Sequence, residues 1–290
     1  MSWRTVVISS SAKLDYQMGY MVVRREDTVK IHISEIEVLM IESTAVSLTA
    51  ALLSELTKNK VKVIFCDEKR NPSSELISYY GSHDTSAKIR KQMQWDDELK
   101  KTMWTEIVSE KIRKQAELLA ENGLTESEML TSYVSEMKFG DETNREGHAA
   151  KVYFNALFGK KFTRTADNSI NAALNYGYGI ILSCFNREIV FNGYITEIGL
   201  FHDNMFNQFN LGSDLMEPFR PVVDRQVWKM NPQKFEHEEK MEVLDILQQE
   251  VTIEDRKEFV SNAIKIYVRS VFDALNDNDI ALIKFYRNEL

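Results

Sequence analysis

The spacing of apolar positions divides the chain into two regimes. Over residues 1–75, runs such as "RTVVIS", "YMVVRR", "VKIHISEIEVLMIES" and "VKVIFCDE" are rich in β-branched residues. Several alternate polar with apolar, as half-buried strands do. In "VKIHIS" the alternation predicts Val29, Ile31 and Ile33 on one face and Lys30 and His32 on the other, so His32 reads as a solvent-side strand residue. "SLTAALLSELTKNK" has the helical period and predicts a short helix among the strands, with its lysines and Asn59 at the C-terminal end. "DEKRNPSSELISYYGSHD" breaks the pattern with Pro, Ser and Gly and reads as an interdomain connection, with His83 on a surface loop.

Beyond about residue 86 the period is helical. "SAKIRKQMQWDDELKKTMWTEIVSEKIRKQAELLAENG" predicts one long helix or two joined ones, with Ile89, Met93, Leu99, Met103, Ile107 and Ile112 near one side and Gly123 as the stop. The nearly apolar stretch that includes "IILSCFNREIVFNGYITEIGLFHD" predicts a buried helix, and two more are expected around 238–249 and 258–276. No internal repeat is visible. The pattern gives an α+β chain: a small N-terminal β-rich domain over 1–75, a linker over 76–87, and a larger all-α domain over 88–290.

Composition supports this reading. Only 11 Gly and 4 Pro among 290 residues leave few breakpoints, which favours long helices over a turn-rich sandwich. Cys66 and Cys184 sit in apolar surroundings without CxxC spacing and read as reduced core thiols. The N-terminus lacks the apolar run of a signal peptide, and no stretch approaches the roughly 18 apolar residues of a membrane span, so a cytoplasmic location is expected. The net charge of −8 argues at first against nucleic acid as a partner. It is unevenly spread, however. Residues 234–258 carry nine acidic and four basic residues, whereas 145–164 carry five basic residues and one acid. The global sum can therefore hide a basic face, although a merely solvated helix surface is equally compatible with it.

Candidate chemistry begins in "NREGHAAKVYFNALFG", residues 144–159. Counting back 4, 7 and 11 positions from Leu157, the inward stripe runs through Tyr153 and Ala150 to Glu146. A carboxylate on an apolar stripe must be neutralised, paired or bound to a metal. His148, two residues on, points to another face and is a candidate phosphate contact. "GLFHDN" then puts His202 at an expected helix exit, and "SDLMEPFRPVVD" puts Asp214 and Glu217 three apart near a helix start. Two carboxylates and an imidazole suit a divalent cation; the oxygen-rich set points to Mg²⁺ or Mn²⁺, and the absence of a nearby thiol weakens zinc. Ordinary readings stay open: Asp214 and Glu217 have capping-box spacing, and Glu146 could pair with Arg145 or Arg220. His237, amid "FEHEEK", reads as solvated.

The set "NREGHAAKVYFNALFG", "GLFHDNMFNQFN" and "SDLMEPFRPVVD", in this order and spacing, resembles the universal spacer-acquisition integrase of CRISPR systems. The opening "WRTVVISSSAKLDY" and "VIFCDEKRNPSSELISYYGSHD" resemble its type II-A branch. The resemblance spans essentially the whole chain. It implies an N-terminal β-rich dimerisation domain, an α-helical catalytic domain and a homodimer. Two such dimers would flank a central dimer of the second adaptation protein in a heterohexamer, with other type II-A adaptation proteins as further partners and no membrane role. It assigns metal binding and catalysis to Glu146, His202 and Glu217, with Asp214 as a supporting acid. The implied reaction joins the 3′-hydroxyls of a double-stranded prespacer to leader–repeat DNA by phosphoryl transfer. Candidate DNA contacts are Lys88, Arg90, Lys91, Arg145, His148, Lys151, Lys160, Lys161 and Arg164. Two rivals from other classes remain: a non-catalytic DNA-binding scaffold, and a stand-alone metal-dependent nuclease.

Overall fold

Among the described residues, the β-rich segments fold into eight strands and one short α-helix. The computed structural model of the chain describes residues 4–79 and 82–288, and divides it into two compact units, Met1–Tyr79 and Tyr80–Leu290. Trp3, Tyr80 and Gly81 of the segments quoted above lie outside the described residues. In the first unit, strands β1 (Arg4–Ile8), β2 (Ala12–Gln17), β3 (Tyr20–Arg24), β4 (Thr28–His32), β5 (Ile36–Ile41) and β6 (Val46–Leu48) precede helix α1 (Ala50–Lys58). Strands β7 (Lys62–Cys66) and β8 (Pro72–Glu75) follow it. They form two sheets, ordered β1-β5-β7-β8 and β4-β3-β2-β6. In the first, β1, β5 and β7 run parallel, as a near-continuous apolar strand such as "IEVLMI" requires. Leu14, Met21, Leu39, Leu52, Leu56 and Val63 lie in the shared core.

Two details depart from the alternation. Pro72–Glu75, inside the segment read as a connection, is an edge strand antiparallel to β7. Its proline costs no ladder bond at an edge, and Glu75 pairs with the buried Lys62. On the edge strand β4, Val29 is 52% exposed, while the half-buried His32 packs edge-on against Tyr20 and accepts a hydrogen bond from the Ser34 backbone. Val29 thus lies exposed at the sheet edge, which periodicity alone misassigns.

The second unit contains α2 (Thr85–Gln92), α3 (Asp97–Glu121), α4 (Glu126–Ser135), α5 (Arg145–Phe158), α6 (Ser169–Phe191), α7 (Asn210–Leu215), α8 (Arg220–Met230) and α9 (His237–Leu244). A hairpin of β9 (Glu250–Ile253) and β10 (Arg256–Phe259) comes before α10 (Val260–Asp277). The fold class is α+β as expected, with this one hairpin added to the helical unit. Its two-residue turn, Glu254–Asp255, has both φ values positive, the geometry that matches strand twist. The long helical segment splits after Gln92, and Asp96 caps α3 by accepting from the Glu98 and Leu99 N–H groups. Met93 falls in that break and is 69% exposed, whereas Met103, Ile107 and Ile112 are buried as the stripe predicts. Gly123, at φ 69°, ends the run. Helix α6 stops at Phe191, well short of His202, so His202 lies in an irregular segment rather than at a helix exit. The buried Gln92 holds that segment: its amide donates to the Ile195 and Ile198 carbonyls and accepts from the Ile195 N–H. Cys66 and Cys184 are both buried and free of disulfides.

Helices α6, α8 and α9 meet so closely at Gly177 that an added Cβ would lie 2.4 Å from Val223 Cγ1 and 3.1 Å from Val243 Cγ1. Gly177→Ala should therefore destabilise by about 1–3 kcal/mol through overpacking, despite its better helix propensity. Adding Val223→Ala should recover part of the loss. Thermal melts of the three proteins check this, and a single variant that melts like the wild type would contradict it.

Candidate active site

Glu146 stands in the first turn of α5, and its place is set by a double cap. Asn144 accepts from the Gly147 N–H, while Asp141 accepts from the Arg145 and Glu146 N–H groups at 2.7 and 3.0 Å. The buried stripe behind it runs Ala149, Tyr153, Leu157, shifted by one from the Ala150 expected at that level. Glu146 pairs with neither Arg145 nor Arg220. Arg145 pairs with Glu136, and Glu146 Oε1 meets Lys111 Nζ at 2.5 Å. Lys111 comes from the middle of α3 and is 5% exposed. Its ammonium lies equally close, at 2.5 Å, to Oε2 of Glu217.

Glu217 follows α7 at the entry to α8 and is 4% exposed. Arg220 Nε donates to its other oxygen at 2.8 Å. Burial alone would raise the Glu217 carboxyl, but Arg220 and Lys111 outweigh it and hold the group down at about 2. For Lys111, burial pulls the other way, and Glu217 and Glu146 overcome it to leave the ammonium above its ordinary value. Lys111 was not among the residues expected from sequence. Its signal was a cation four positions after Ile107 and one before Ile112, at the margin of an apolar stripe.

Asp214 caps no helix. It is fully buried at the end of α7, where Oδ2 accepts from the Leu200 and Phe201 N–H groups, and Oδ1 accepts from the His202 N–H and from His202 Nδ1 at 2.5 Å. A carboxylate only accepts, so Nδ1 carries the proton and Nε2 is the ring nitrogen available to a ligand. Gly199 is required beside it, since a Cβ there would meet His202 O at 2.5 Å and Asp214 Oδ2 at 2.6 Å. The imidazole also packs edge-on against Trp104, which stacks on Phe201. The hydrogen bond to Asp214, opposed by burial and aided by the Asp214 and Glu217 charges, raises the His202 pKa.

Behind these groups lies a network that the sequence did not announce. Arg220 lies over the Tyr178 ring at 4.7 Å, and the fully buried Asp224 accepts from the Tyr178 and Tyr153 hydroxyls. Burial pushes the Asp224 carboxyl up to about 6. Among the candidate DNA contacts, four have partners within the fold: Lys88 with Asp84, Lys91 with the Asn276 carbonyl, Arg145 with Glu136, and Arg164 with Asn171 and Asn175. Arg90, His148, Lys151, Lys160 and Lys161 are exposed. His237, read as solvated, is half-buried at the start of α9.

Among the described residues, no three His, Cys, Asp or Glu side chains converge as a ready-made ion cage. The donor chemistry nevertheless suits a hard divalent cation. Two carboxylates lie one ammonium apart, and the charge of one of them, Glu217, acts on an imidazole whose Nδ1 is taken by Asp214. Glu217 Oε2 is buried and, among the described residues, has the Lys111 ammonium as its one close partner. Glu146 and Glu217, met by one ammonium, are donors of the kind such an ion takes, and His202 keeps Nε2 unprotonated. Asp214, saturated by four donors, fits the role of holding His202.

Residues 5–263 match the family described as CRISPR associated protein Cas1. The chain is 35% identical over 229 residues to the CRISPR-associated endonuclease Cas1 of Neisseria meningitidis serogroup C (strain 8013), across 78% of this chain and 75% of that protein. Its fold is similar to a CAS1 protein from Thermotoga maritima, with TM-score 0.77 and 18% identity over 94% of this chain and 97% of that one. A casposase bound to integration product gives 0.78 at 15% identity, over 96% and 92% of the two chains. A chain of a partial Cas6-RT-Cas1–Cas2 complex gives 0.67 at 16% identity, over 100% of both. At these identities the structural likenesses speak for the fold alone.

The Asp214–His202 contact makes a pH-dependent prediction. Because the folded pKa of His202 is raised, its protonated form contributes stability that is complete below about pH 6.5 and is lost as pH rises through the folded value. Asp214→Asn should bring the His202 titration back toward its ordinary value and flatten that slope. NMR titration of the His202 ring, with melting temperatures over the same pH range, checks both. An unchanged titration would remove Asp214 as the cause.

Proposed function

The chain belongs to the Cas1 family of CRISPR-associated proteins, and on that premise we propose that it is a metal-dependent DNA integrase and endonuclease of CRISPR adaptation, which joins prespacer 3′-hydroxyls to leader–repeat DNA by phosphoryl transfer. The observation that carries the reading is the juxtaposition of Glu146 and Glu217, one cation apart, with the Glu217 charge acting on a histidine fixed by Asp214. A pure scaffold has no use for so expensive an arrangement of buried charge. The naming of the Neisseria relative as an endonuclease, and the casposase captured with an integration product, support the nuclease and integrase sides respectively.

In this proposal Glu146, Glu217 and His202 Nε2 hold Mg²⁺ or Mn²⁺. When bound, the ion supplies Lewis-acid polarisation of a phosphoryl oxygen and stabilises charge in the in-line transition state. The residues themselves do the positioning. Arg220 fixes one oxygen of Glu217, and Asp214 fixes the orientation and tautomer of His202. No serine- or cysteine-type nucleophile is needed, because the DNA brings its own hydroxyl. His202, as a ligand, would not move protons.

The exposed Arg90, His148, Lys151, Lys160 and Lys161 are the readier phosphate contacts, and Lys88, Lys91, Arg145 and Arg164 would have to leave internal partners to join them. Phosphate contacts of this kind make fragment capture largely sequence-tolerant. The proposed assembly is a homodimer, two of which flank a central dimer of the second adaptation protein. Occurrence of the same fold in a Cas6-RT-Cas1–Cas2 complex supports such a partner. The type II-A branch, further adaptation partners and a cytoplasmic location belong to the same proposal; among the described residues no helix is long and apolar enough to cross a membrane.

The test uses the protein with its small adaptation partner, Mn²⁺, a labelled short duplex and a plasmid bearing leader and repeat, at one fixed low ionic strength. Label should enter the plasmid only when the duplex carries free 3′-hydroxyls. Dideoxy ends remove the attacking hydroxyl and should abolish joining, and Glu146→Ala should reduce it by at least about a hundredfold, the usual scale for loss of a group that stabilises the transition state. Relaxation of the plasmid without label, indifferent to the dideoxy block, would mean a water-using nuclease. A gel shift with no bond changed would mean a scaffold.

A further inference from the structure

The side chain that most needs explaining is Lys111. A lysine with 7% side-chain exposure lies at the same 2.5 Å from Glu146 Oε1 and Glu217 Oε2, while Arg220 covers the remaining oxygen of Glu217. Two carboxylates therefore face two cations, and this part of the centre is neutral without any metal. A divalent ion bound to the same two oxygens needs them at about 2.0–2.6 Å. The ammonium already stands at that position, so the two cations exclude each other by volume as well as by charge. An arginine could not leave easily, because its planar fork is fixed by its hydrogen bonds; a lysine ammonium is a point charge on a flexible four-carbon stem.

We propose that Lys111 is the resident counter-ion of the metal-free centre: it keeps Glu146 and Glu217 one cation apart, and the divalent ion must displace it to bind. Lys111 is then a positioning residue with two opposed effects. It stabilises the metal-free fold by preventing two close carboxylates from facing each other uncompensated. It also weakens metal affinity, so that the centre is filled only when the ion outcompetes it. The inference rests on the reading of Glu146, His202 and Glu217 as a metal centre.

Mn²⁺ titrations followed by the electron paramagnetic resonance of the free ion, together with melting temperatures with and without Mn²⁺, separate the possibilities. Lys111→Met, which keeps the length and removes the charge, should melt lower than the wild type without metal, bind Mn²⁺ about tenfold tighter, and gain more in melting temperature when Mn²⁺ is added. Lys111→Arg, which keeps the charge, should bind Mn²⁺ no tighter than the wild type. If the wild type binds Mn²⁺ and Lys111→Met binds it equally or more weakly, the counter-ion role is overturned while the metal centre stands. If neither binds Mn²⁺, the metal centre itself falls, and the inference with it. Should Lys111→Met not fold, the wild-type protein labelled with ¹⁵Nζ-lysine gives the answer. The Lys111 ammonium resonance, identified by its absence in Lys111→Arg, should shift or vanish as Mg²⁺ saturates the protein. A resonance unmoved at saturation would overturn the displacement.

Discussion

The constraint on which the helical unit turns is electrostatic: the buried carboxylates of Glu217 and Asp214, with the half-buried Glu146, must be held where burial disfavours charge. Isolated buried carboxylates would protonate or destabilise the fold by several kcal/mol each. Here each has assigned compensation. Lys111 bridges Glu146 and Glu217, Arg220 secures Glu217, and Asp214 is neutralised in effect by three backbone N–H groups and the His202 ring. The backbone arrangement follows from these needs. The middle of α3 supplies the lysine, the capped first turn of α5 supplies Glu146, and the junction of α7 with α8 supplies Glu217 and Arg220. Gln92 and Asp214 hold the irregular stretch that presents His202, a stretch no helix could shape.

A second arrangement lies under the first. Arg220, while bonded to Glu217, also covers the ring of Tyr178, whose hydroxyl donates to Asp224. Tyr153, on the buried stripe of α5 that begins beside Glu146, donates to the same carboxylate. The residues that carry the two glutamates are thus linked by a buried network rather than by separate contacts, and such networks rigidify a site because every polar group in them needs its partners. Precision of this kind is what the proposed phosphoryl transfer would require, since such chemistry is mostly positioning.

Much of this was legible one residue at a time. The change of period near residue 86 separated strands from helices, and Glu146, His202 and Glu217 stood out because acids and histidine are conspicuous against apolar stripes. What the sequence could not show was the set of partners. Lys111 reads as one lysine among many in "SEKIRKQ" until α5 brings Glu146, 35 positions on, against it. Asp224 gains its meaning from Tyr153, 71 positions away. Asp214 and Glu217 share a capping-box spacing, yet the loop at 200–202 claims Asp214 instead, a competition that local spacing cannot foresee. The strands that escaped notice, Pro72–Glu75 and the hairpin at 250–259, are short and carry few apolar residues, so their pairing rather than their pattern makes them strands.

The most direct test of the central claim, that one cation is shared by Glu146, Glu217 and His202, is crystallographic. Crystals of the protein grown with Mn²⁺ should show one anomalous peak within about 2.0–2.4 Å of an oxygen from each glutamate and of His202 Nε2, with the Lys111 ammonium moved from between the carboxylates. A peak held by other residues, or crystals saturated with Mn²⁺ in which Lys111 still bridges Glu146 and Glu217, would contradict the account.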